Sequence, residues 1–259
     1  MAIITLTTDL GDKDIYLAAL KGSIYKLLPK VNIVDITNSV AAFNIQQAAF
    51  ILKNSFHYFP DGTVHLIGID TVYSGQTKYL AIRYKNHYFV GADNGIFSLM
   101  FNDEPDEVFE INIMQDLKFL HFPLADIFVK TACHLASGKD INLIGLPVGG
   151  IEKKMNLQPV IEKNLIKGMV IYIDSFQNVI TNITKDLFNQ IQQGRQFVLT
   201  FKRNESINHL SWHYNEVPEG EKLCLFGISD HLEIAINKGN ASGLLGLNLG
   251  DSVIIDFQA

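Results

Sequence analysis

The 259-residue sequence is poor in the residues that build covalent cross-links and metal centres. It has only two cysteines, Cys133 and Cys224, which lie far apart in the chain. Neither has a second Cys or a His at the spacing of a zinc ligand set. We therefore expect two buried, reduced thiols and no bound metal.

Long apolar runs and clusters of basic residues are also missing. No apolar run reaches the roughly 18 residues that a membrane-spanning helix needs, and the sequence does not open on a signal-peptide pattern. The formal charge is −6, whereas binding to a nucleic-acid backbone requires clustered Lys and Arg. We expect a cytoplasmic protein that binds neither membranes nor nucleic acid.

The common phosphate-binding loops are absent as well. The first predicted strand is not followed by G-x-G-x-x-G, the chain contains no Walker loop, and Gly91–Gly95 matches no phosphate-binding pattern. We therefore do not expect a dinucleotide or triphosphate enzyme of those types. With 47% hydrophobic and 19% charged residues, the chain has the composition of an ordinary globular protein.

Strands and helices alternate along the first half of the chain, which predicts an α/β fold with a parallel or mixed sheet. A helix is predicted at 44–58, and the clearest helix of the chain is predicted at 123–137. A Gly- and Pro-containing stretch at 145–154 interrupts this pattern, and mostly short strands follow, with one helix at 185–193. We predict an α/β sandwich-like domain at residues 1–153 and a smaller β-barrel domain at 154–259.

Three aspartates and a glycine lie between the first predicted strand and the first helix. Asp9, Asp12 and Asp14 therefore belong to a loop at the carboxyl end of a strand, where ligands bind in open α/β sheets. Asp12 or Asp14 could instead cap the helix. Capping leaves Asp9 unexplained, so we interpret this loop as a nucleoside site.

A second polar stretch, residues 174–182, interrupts an apolar strand with one carboxylate and several amides. A turn between strands favours Asp and Asn for structural reasons alone. The functional interpretation is that Asp174 binds an ammonium group and that the amide of Asn178 binds the edge of a base. His231 alone carries little weight as a ligand.

Taken together, five stretches resemble the S-adenosyl-L-methionine hydroxide adenosyltransferase family, relatives of the fluorinase and chlorinase enzymes. The resemblance covers essentially the whole chain. Its residues are Thr8-Asp9-Leu10-Gly11 with Asp14 and Lys21-Gly22; Gly91-Ala92-Asp93-Asn94-Gly95; Asp126-Ile127-Phe128 with His134-Leu135-Ala136; Ile173-Asp174 with Phe176, Asn178 and Thr181-Asn182-Ile183; and Leu232-Glu233-Ile234-Ala235 with Asn237 and Gly239-Asn240-Ala241.

The resemblance implies a homotrimer of two-domain subunits, with the substrate between neighbouring subunits and no cofactor. By this resemblance Asp9 binds the ribose hydroxyls, Asp174 the methionine ammonium and Asn178 the adenine. Asn237 corresponds to a position near the adenine and Ser229 to one near the methionine carboxylate. The predicted substrate-binding set is completed by two further residues, Asp14 and Tyr73.

The family holds its attacking water with an Asp–Arg–His set, and this chain departs from it. Asp70 matches the aspartate, but Lys78 stands where the arginine belongs, and Lys lacks the planar guanidinium fork. Pro123 stands at the histidine position, and His121 lies two residues upstream. The predicted catalytic residues are therefore Asp70, Lys78 and His121.

These observations favour an enzyme that hydrolyses S-adenosyl-L-methionine at C5′ to adenosine and methionine. Two alternatives remain open. The chain could be a binding protein that kept the adenosyl site and lost part of the catalytic set. It could also be a halogenase, although no halide pocket is recognisable.

Overall fold

The computed structural model describes residues 2–71, 77–202 and 205–258. The chain divides into two compact units, Met1–Met155 and Asn156–Ala259, where the sequence analysis placed the division between residues 153 and 154. The amino-terminal unit is a mixed α/β structure and the carboxy-terminal unit is built on a barrel-like sheet. The predicted fold class is confirmed.

The amino-terminal unit alternates strands and helices along most of its length. Its strands in the described residues are β1 (Ile3–Thr8), β2 (Asn32–Thr37), β3 (Val64–Gly68), β4 (Tyr79–Tyr84), β5 (His87–Ala92), β6 (Glu107–Ile111) and β7 (Gly145–Pro147). Its α-helices there are α1 (Ile15–Leu27), α2 (Ile45–Lys53), α3 (Ile96–Met100) and α4 (Ile127–Ala136). Short 3-10 turns lie at Phe56–Tyr58, Leu117–Phe119, Pro123–Ala125 and Ile141–Leu143.

The strands of this unit form one mixed sheet in the order β2-β1-β3-β5-β4-β6-β7. The first four strands in this order are parallel, whereas β4, β6 and β7 add to the sheet in antiparallel fashion. The β4–β5 hairpin, which the sequence predicts, turns at Lys85 and Asn86. Both have positive φ, 48° and 62°, as a two-residue hairpin turn requires.

Side-chain alternation along the strands supplies two hydrophobic cores, one on each face of the sheet. Ile4 and Leu6 of β1 pack in one core with residues of α1 and α4. Leu80 and Ile82 of β4 pack in the other with residues of α2 and α3. Helices therefore cover both faces, which is the layered arrangement that the alternating sequence predicts.

Both long helices predicted for this unit are shorter than expected. The helix predicted at 123–137 is broken at Asp126, whose φ and ψ are −126° and −84°. Its buried carboxylate accepts the backbone N–H of Asp116 (2.8 Å) and pairs with Lys130 (2.5 Å). The helix predicted at 44–58 ends at Lys53, because the side-chain amide of Asn54 bonds back to the Phe50 carbonyl (2.8 Å).

The carboxy-terminal unit consists mainly of short antiparallel strands. Those in the described residues are β8 (Val160–Glu162), β9 (Leu165–Ile173), β10 (Val179–Thr184), β11 (Phe197–Phe201), β12 (Glu205–Ile207), β13 (Lys222–Phe226), β14 (His231–Ile236) and β15 (Ser252–Phe257). Its helices there are α5 (Lys185–Gln192), α6 (Ala241–Leu245) and a 3-10 turn at Tyr214–Glu216.

The main strand order in this unit is β12-β11-β15-β9-β10-β14-β13, with β8 paired to β9. The two end strands approach each other, since Lys222 of β13 forms an ion pair with Glu205 of β12. The sheet is therefore nearly closed around an interior core, in which Phe188, Phe197 and Phe257 are buried.

Strand β10 and helix α6 were not predicted. Strand β10 contains three polar residues and follows the polar loop at 174–178, so its composition is typical of a turn. The buried hydroxyl of Thr181 donates a hydrogen bond to the Leu232 carbonyl (3.0 Å). Because Leu232 is distant in sequence, this partner could not be predicted. Helix α6 is short, and its Asn240 cap accepts the Gly243 N–H (2.6 Å). The segment Asn240-Ala241-Ser242-Gly243 equally suits a turn.

The two cysteines are free and buried, as predicted. Burial raises the pKa of the Cys133 thiol to about 11 and that of the Cys224 thiol to about 12. Both thiols are therefore protonated at neutral pH and serve as small core residues.

Candidate functional site

The first group of predicted residues lies at the carboxyl edge of the amino-terminal sheet. Asp9 follows β1 and Asp70 follows β3, and these two strands are parallel neighbours. Strand β2 lies on the other side of β1, so the direction in which strands are added reverses between β1 and β3. Ligands in open α/β sheets bind at such a reversal. The structure thus places both aspartates at the edge where a ligand is expected.

The loop that carries Asp9 is held against the segment after β2. Oδ2 of Asp9 accepts the backbone N–H of Phe43 (2.9 Å). Asn38 accepts a hydrogen bond from the Thr8 hydroxyl (2.8 Å) and, at its carbonyl, one from the Gly11 N–H (2.7 Å). A carboxylate can accept about four hydrogen bonds, so Asp9 is positioned by one of them and retains capacity for two ligand hydroxyls.

Asp14 occupies the N-cap position of α1, but its side chain makes no capping hydrogen bond. The carboxylate is exposed. The geometry therefore does not support the alternative that Asp14 serves to cap the helix. Asp14 remains at the same edge as Asp9, with its side chain not committed to the helix.

Asp70 and Lys78 are both tied to the turn that follows β5. The side-chain amide of Asn94 donates to the carbonyls of Ile69 (3.0 Å) and Asp70 (3.3 Å), and the Asp93 N–H donates to the Lys78 carbonyl (2.8 Å). Asp70 is exposed and has a positive φ of 47°, which is uncommon for a residue other than glycine. Asn94 thus fixes the backbone at a strained candidate residue.

The ammonium of Lys78 is paired with Glu110 on β6 (3.1 Å). This contact was not predicted, because it depends on the antiparallel pairing of β4 with β6. The side chain is about half exposed (51%), so the pair is a surface pair that another anion can replace. Tyr73 lies in the segment 72–76, outside the described residues.

Asp93 is a further ionisable group at this edge, which the sequence analysis placed in a family-like stretch but gave no role in the site. Its Oδ1 accepts the backbone N–H of Glu152 (2.8 Å), and burial raises the pKa of its carboxyl. An Asp-Asn pair directly after a predicted strand is a signal that could have identified it.

The segment that carries His121 also lies at the carboxyl edge. The ring of Phe122 contacts that of Tyr16 at the start of α1, with centroids 5.4 Å apart. Leu124 packs directly on Gly68 at the end of β3, where an added Cβ would lie 2.4 Å from its Cδ2. His121 itself is exposed, whereas Pro123 is buried.

In the carboxy-terminal unit, Asp174 and Asn178 form a closed loop between β9 and β10. Oδ1 of Asp174 accepts the backbone N–H of Asn178 (2.8 Å), and Oδ2 accepts its side-chain amide (3.1 Å). The Asp174 N–H in turn donates to the Asn178 carbonyl (3.1 Å). The turn interpretation and the binding interpretation are compatible, because the loop fixes both side chains and leaves lone pairs on each.

Ser229 and Asn237 lie at the two ends of β14. Ser229 belongs to the tight turn between β13 and β14, and its carbonyl bonds to Nδ1 of His231 (2.7 Å). The buried side-chain amide of Asn237 donates to the Val217 carbonyl (2.7 Å). Asn237 therefore holds the chain before β13, whatever its role toward a ligand.

Glu233 is the ionisable residue of this unit that the sequence analysis did not identify as a site residue. It is 6% exposed on β14, and its Oε1 accepts the hydroxyl of Tyr214 (2.7 Å). Burial raises the pKa of its carboxyl, and the charge of nearby Asp174 raises it further. Two sequence signals pointed to it: a charged residue at the centre of an apolar strand, and its place in the family-like stretch Leu232-Glu233-Ile234-Ala235.

In the ranges 2–71, 77–202 and 205–258, no cluster of three or more His, Cys, Asp or Glu side chains could hold a metal ion. No helix in those ranges is long and apolar enough to span a membrane.

The fold and the positions of these groups define a class of protein. It has an amino-terminal α/β unit with carboxylates at the switch point of its sheet, and a barrel-like carboxy-terminal unit with a second acidic and amide-rich cluster.

Comparison with known families places the chain within this class. Residues 4–145 match the SAM hydroxide adenosyltransferase N-terminal domain, and residues 168–254 match the C-terminal domain. The chain belongs to the SAM hydroxide adenosyltransferase family, as the sequence resemblance suggested.

Relatives match over nearly the whole chain. The chain is 30% identical to the (R)-S-adenosyl-L-methionine hydrolase of Methanocaldococcus jannaschii, over 98% of this chain and 96% of that protein. It is 26% identical to the protein of the same name from Thermus thermophilus, over 94% and 95%. A crystal structure of an uncharacterized conserved protein from Thermotoga maritima superposes with a TM-score of 0.88 at 29% identity, covering 98% of this chain and 99% of that one. Fluorinases are among the more distant relatives.

Proposed function

We propose that this protein is an enzyme that hydrolyses S-adenosyl-L-methionine to adenosine and L-methionine. The observation that carries the proposal is the match of both units to the family, together with full-length relatives named as (R)-S-adenosyl-L-methionine hydrolases. Since the α-carbon of L-methionine has the S configuration, the (R) in those names refers to the sulfonium centre. We propose the same form as the preferred substrate here.

The reaction is an in-line displacement at the ribose C5′ carbon. The oxygen of water forms a bond to C5′ while the C5′–S bond breaks, and sulfur keeps the electron pair as a neutral thioether. The attacking water loses its proton to solvent. Because the leaving group is neutral, no general acid is needed, and the protein has to position the reactants and orient one water molecule.

The proposed roles are those that the family resemblance implies. Asp9 binds the ribose hydroxyls, and Asp14 and Tyr73 belong to the same half of the substrate site. Asp70 orients the water, and Lys78, after it releases Glu110, favours the anionic form of that water, hydroxide, electrostatically. His121 is the remaining candidate for the missing histidine. It lies in a segment packed against the start of α1 and the end of β3.

The carboxy-terminal unit supplies the other half of the substrate site. Asp174 binds the ammonium group of the methionine part, and Ser229 lies near its carboxylate. Asn178 and Asn237 bind the adenine; Asn178 keeps its side-chain oxygen for a base edge after its amide has bonded to Asp174. No cofactor takes part.

A second candidate function is adenosyl binding without turnover. It is favoured by Pro123 at the histidine position, which is buried, and by the pairing of Lys78 with Glu110. In this case the protein binds S-adenosyl-L-methionine or adenosine but does not convert S-adenosyl-L-methionine to adenosine and methionine.

Incubation of the purified protein with each sulfonium epimer, followed by chromatography of adenosine and methionine, separates the two functions. Equimolar adenosine and methionine, formed faster from the (R) epimer, supports the proposal. Binding by calorimetry without adenosine release supports the binding protein. If the protein shows neither binding nor turnover, both the hydrolase and the binding-protein proposals are wrong. A chlorinated or fluorinated adenosine formed in the presence of halide would indicate a halogenase.

We also propose a homotrimer in which the α/β unit of one subunit and the β-rich unit of its neighbour hold one substrate. The distribution of the candidate residues over both units supports this arrangement. Light scattering should give three times the chain mass of 29.0 kDa, and a monomer with intact binding would contradict it. The proposed substrate is a cytoplasmic metabolite, so we place the protein in the cytoplasm, which cell fractionation tests.

A further inference from the structure

The glutamate on β14 lies on the outer face of the barrel-like sheet, not in its interior. Its chain neighbours Leu232 and Ile234 both pack in the interior core. Because side chains alternate along a strand, Glu233 points to the opposite face. There it stands between two apolar neighbours on adjacent strands, Ile180 of β10 and Leu225 of β13.

This carboxylate is enclosed rather than hydrated. The segment that contains Tyr214 covers it, and the tyrosine hydroxyl donates to Oε1 (2.7 Å). On another side, Oε2 lies against Gly227, where an added Cβ would approach it to 2.7 Å. Gly227 begins the same turn that carries Ser229. A side chain at residue 227 would therefore displace the carboxylate of Glu233.

The charge of Glu233 has no cationic partner in the part of the chain that the structure describes. The ion pairs formed there include neither Glu233 nor Asp174. Asp174 is hydrogen-bonded to Asn178, the residue directly before β10, and Ile180 of β10 is the cross-strand partner of Glu233. Asp174 therefore lies near enough to raise the pKa of both Glu233 and Tyr214, in each case after the larger effect of burial. Two neighbouring carboxyl groups in a buried position are unfavourable in their charged forms unless a cation joins them.

We propose that Glu233, oriented by Tyr214, is the second carboxylate of the site that binds the substrate's ammonium group, and that it acts together with Asp174. This inference rests on the proposed function. An ammonium has three N–H donors, and the loop around Asp174 uses only one lone pair of each of its oxygens. Glu233 accepts a further N–H and compensates the positive charge. It determines specificity for an amino acid over a deaminated analogue.

The test compares S-adenosyl-L-methionine with its analogue in which hydrogen replaces the amino group. KM is measured from adenosine release, and the dissociation constant is measured by calorimetry in an Asp70→Asn background. Glu233→Gln keeps the shape and the acceptor for Tyr214 and removes the charge. We expect it to weaken binding of the amine-bearing substrate roughly ten- to a hundredfold, and binding of the deaminated analogue less than about threefold. Glu162→Gln makes the same change at an exposed position and should alter neither.

Tyr214→Phe provides an independent variant if Glu233→Gln fails to fold. It should weaken binding of the amine-bearing substrate several-fold and, like Glu233→Gln, have little effect on binding of the deaminated analogue. An equal loss for both ligands, or no loss for either, would overturn the inference and leave Glu233 as a structural residue. Suppose that the wild type releases adenosine and that Glu233→Gln prefers the amine-bearing substrate over the deaminated analogue as strongly as the wild type does. In that case only this inference fails, and the proposed function stands. If the wild type neither binds nor hydrolyses the substrate, the proposed function fails and the inference fails with it.

Discussion

The two units bury ionisable side chains in different ways. The amino-terminal unit buries a pair of histidines, His65 and His87, at the start of β3 and β5. Nδ1 of His65 bonds to the Thr5 hydroxyl (2.7 Å) and Nε2 bonds to His87 (3.1 Å). The His65 ring also stacks on Phe89, with centroids 4.8 Å apart. Both ring nitrogens have partners, and the ring needs no charge.

In the carboxy-terminal unit the buried group is Glu233, which has a tyrosine donor and a second acidic side chain as neighbours. Burial of a carboxylate costs more than burial of a neutral imidazole, because its charge must leave water. The histidine pair is therefore complete within the fold, whereas the described part of the chain offers Glu233 no counter-charge, and we propose that a ligand supplies it. If the proposed role of Glu233 is right, the buried group that is satisfied within the fold serves stability and the one without a counter-charge serves binding.

The largest expected effect lies outside both buried clusters, at the exposed edge of the amino-terminal sheet. If this edge performs the chemistry and the carboxy-terminal unit only binds, then Asp70→Asn and Lys78→Ala should each lower kcat by roughly 10²–10³, the effect of removing one preorganised group (about 2.7–4 kcal/mol). Asn tolerates the positive φ of residue 70, so the fold is kept. The wild-type rate itself should be below that of a relative with the complete Asp–Arg–His set.

Adenosine release by these variants tests this division of roles. Glu110→Gln is the matched control, because it removes the partner of Lys78 and leaves the lysine free; its rate should not fall. A brisk wild-type rate that survives both substitutions would show that the water is held elsewhere. A rate lost only in His121→Ala would assign the main role to that histidine.

The next effect is on affinity, and it should be similar in the two units. Asp9→Ala and Asp174→Ala each remove a carboxylate that forms charge-assisted hydrogen bonds, so each should weaken S-adenosyl-L-methionine binding by about 1.5–3 kcal/mol, or roughly ten- to a hundredfold. Calorimetric titration measures this. Unchanged dissociation constants in both variants would refute the assignment of these residues to the site.

The histidine pair should make stability depend on pH. Burial, with a smaller contribution from His87, lowers the pKa of His65 to about 3, against about 6.5 in the unfolded chain. Between these values the unfolded state binds more protons. The free energy of unfolding is therefore fully retained above pH 6.5 and falls as the pH decreases toward 3, by about a few kcal/mol.

Denaturant titrations between pH 4.5 and 7.5 test this dependence. The change of unfolding free energy with pH should be shallower in His65→Gln than in the wild type, since that variant cannot take up the proton. Equal slopes in the two proteins would show that the buried histidines do not control acid sensitivity.

The smallest effect concerns helix capping. Thr184 caps α5 with its hydroxyl, which accepts the Leu187 N–H (3.3 Å), whereas Asp14 makes no such bond on α1. Thr184→Ala should lower the free energy of unfolding by about 1 kcal/mol, and Asp14→Ala by less than about 0.5 kcal/mol. Thermal and denaturant unfolding measure both. A larger loss in Asp14→Ala would indicate that this aspartate is a structural cap after all.

Much of the architecture follows from local sequence patterns. Alternating apolar residues identify β1, β4 and β5, and the Lys85–Asn86 turn joins the last two. The aspartates after β1 and β3 were recognisable because the carboxyl ends of neighbouring parallel strands meet at one edge. The family resemblance added the expected roles of Asp174 and Asn178. Those roles, and the roles of all the other candidate site residues, remain predictions.

Other features depend on contacts between residues far apart in the chain. Asp126 breaks a helical pattern because Asp116 and Lys130 bind its carboxylate, and Lys78 meets Glu110 only through the pairing of β4 with β6. The sequence of β14 shows a glutamate, but it does not predict that Tyr214 covers this side chain or that Asp174 lies nearby. Local propensity determines which segments become strands and helices. The burial and partners of a charged side chain are decided by tertiary packing, because they depend on what the rest of the chain brings against it.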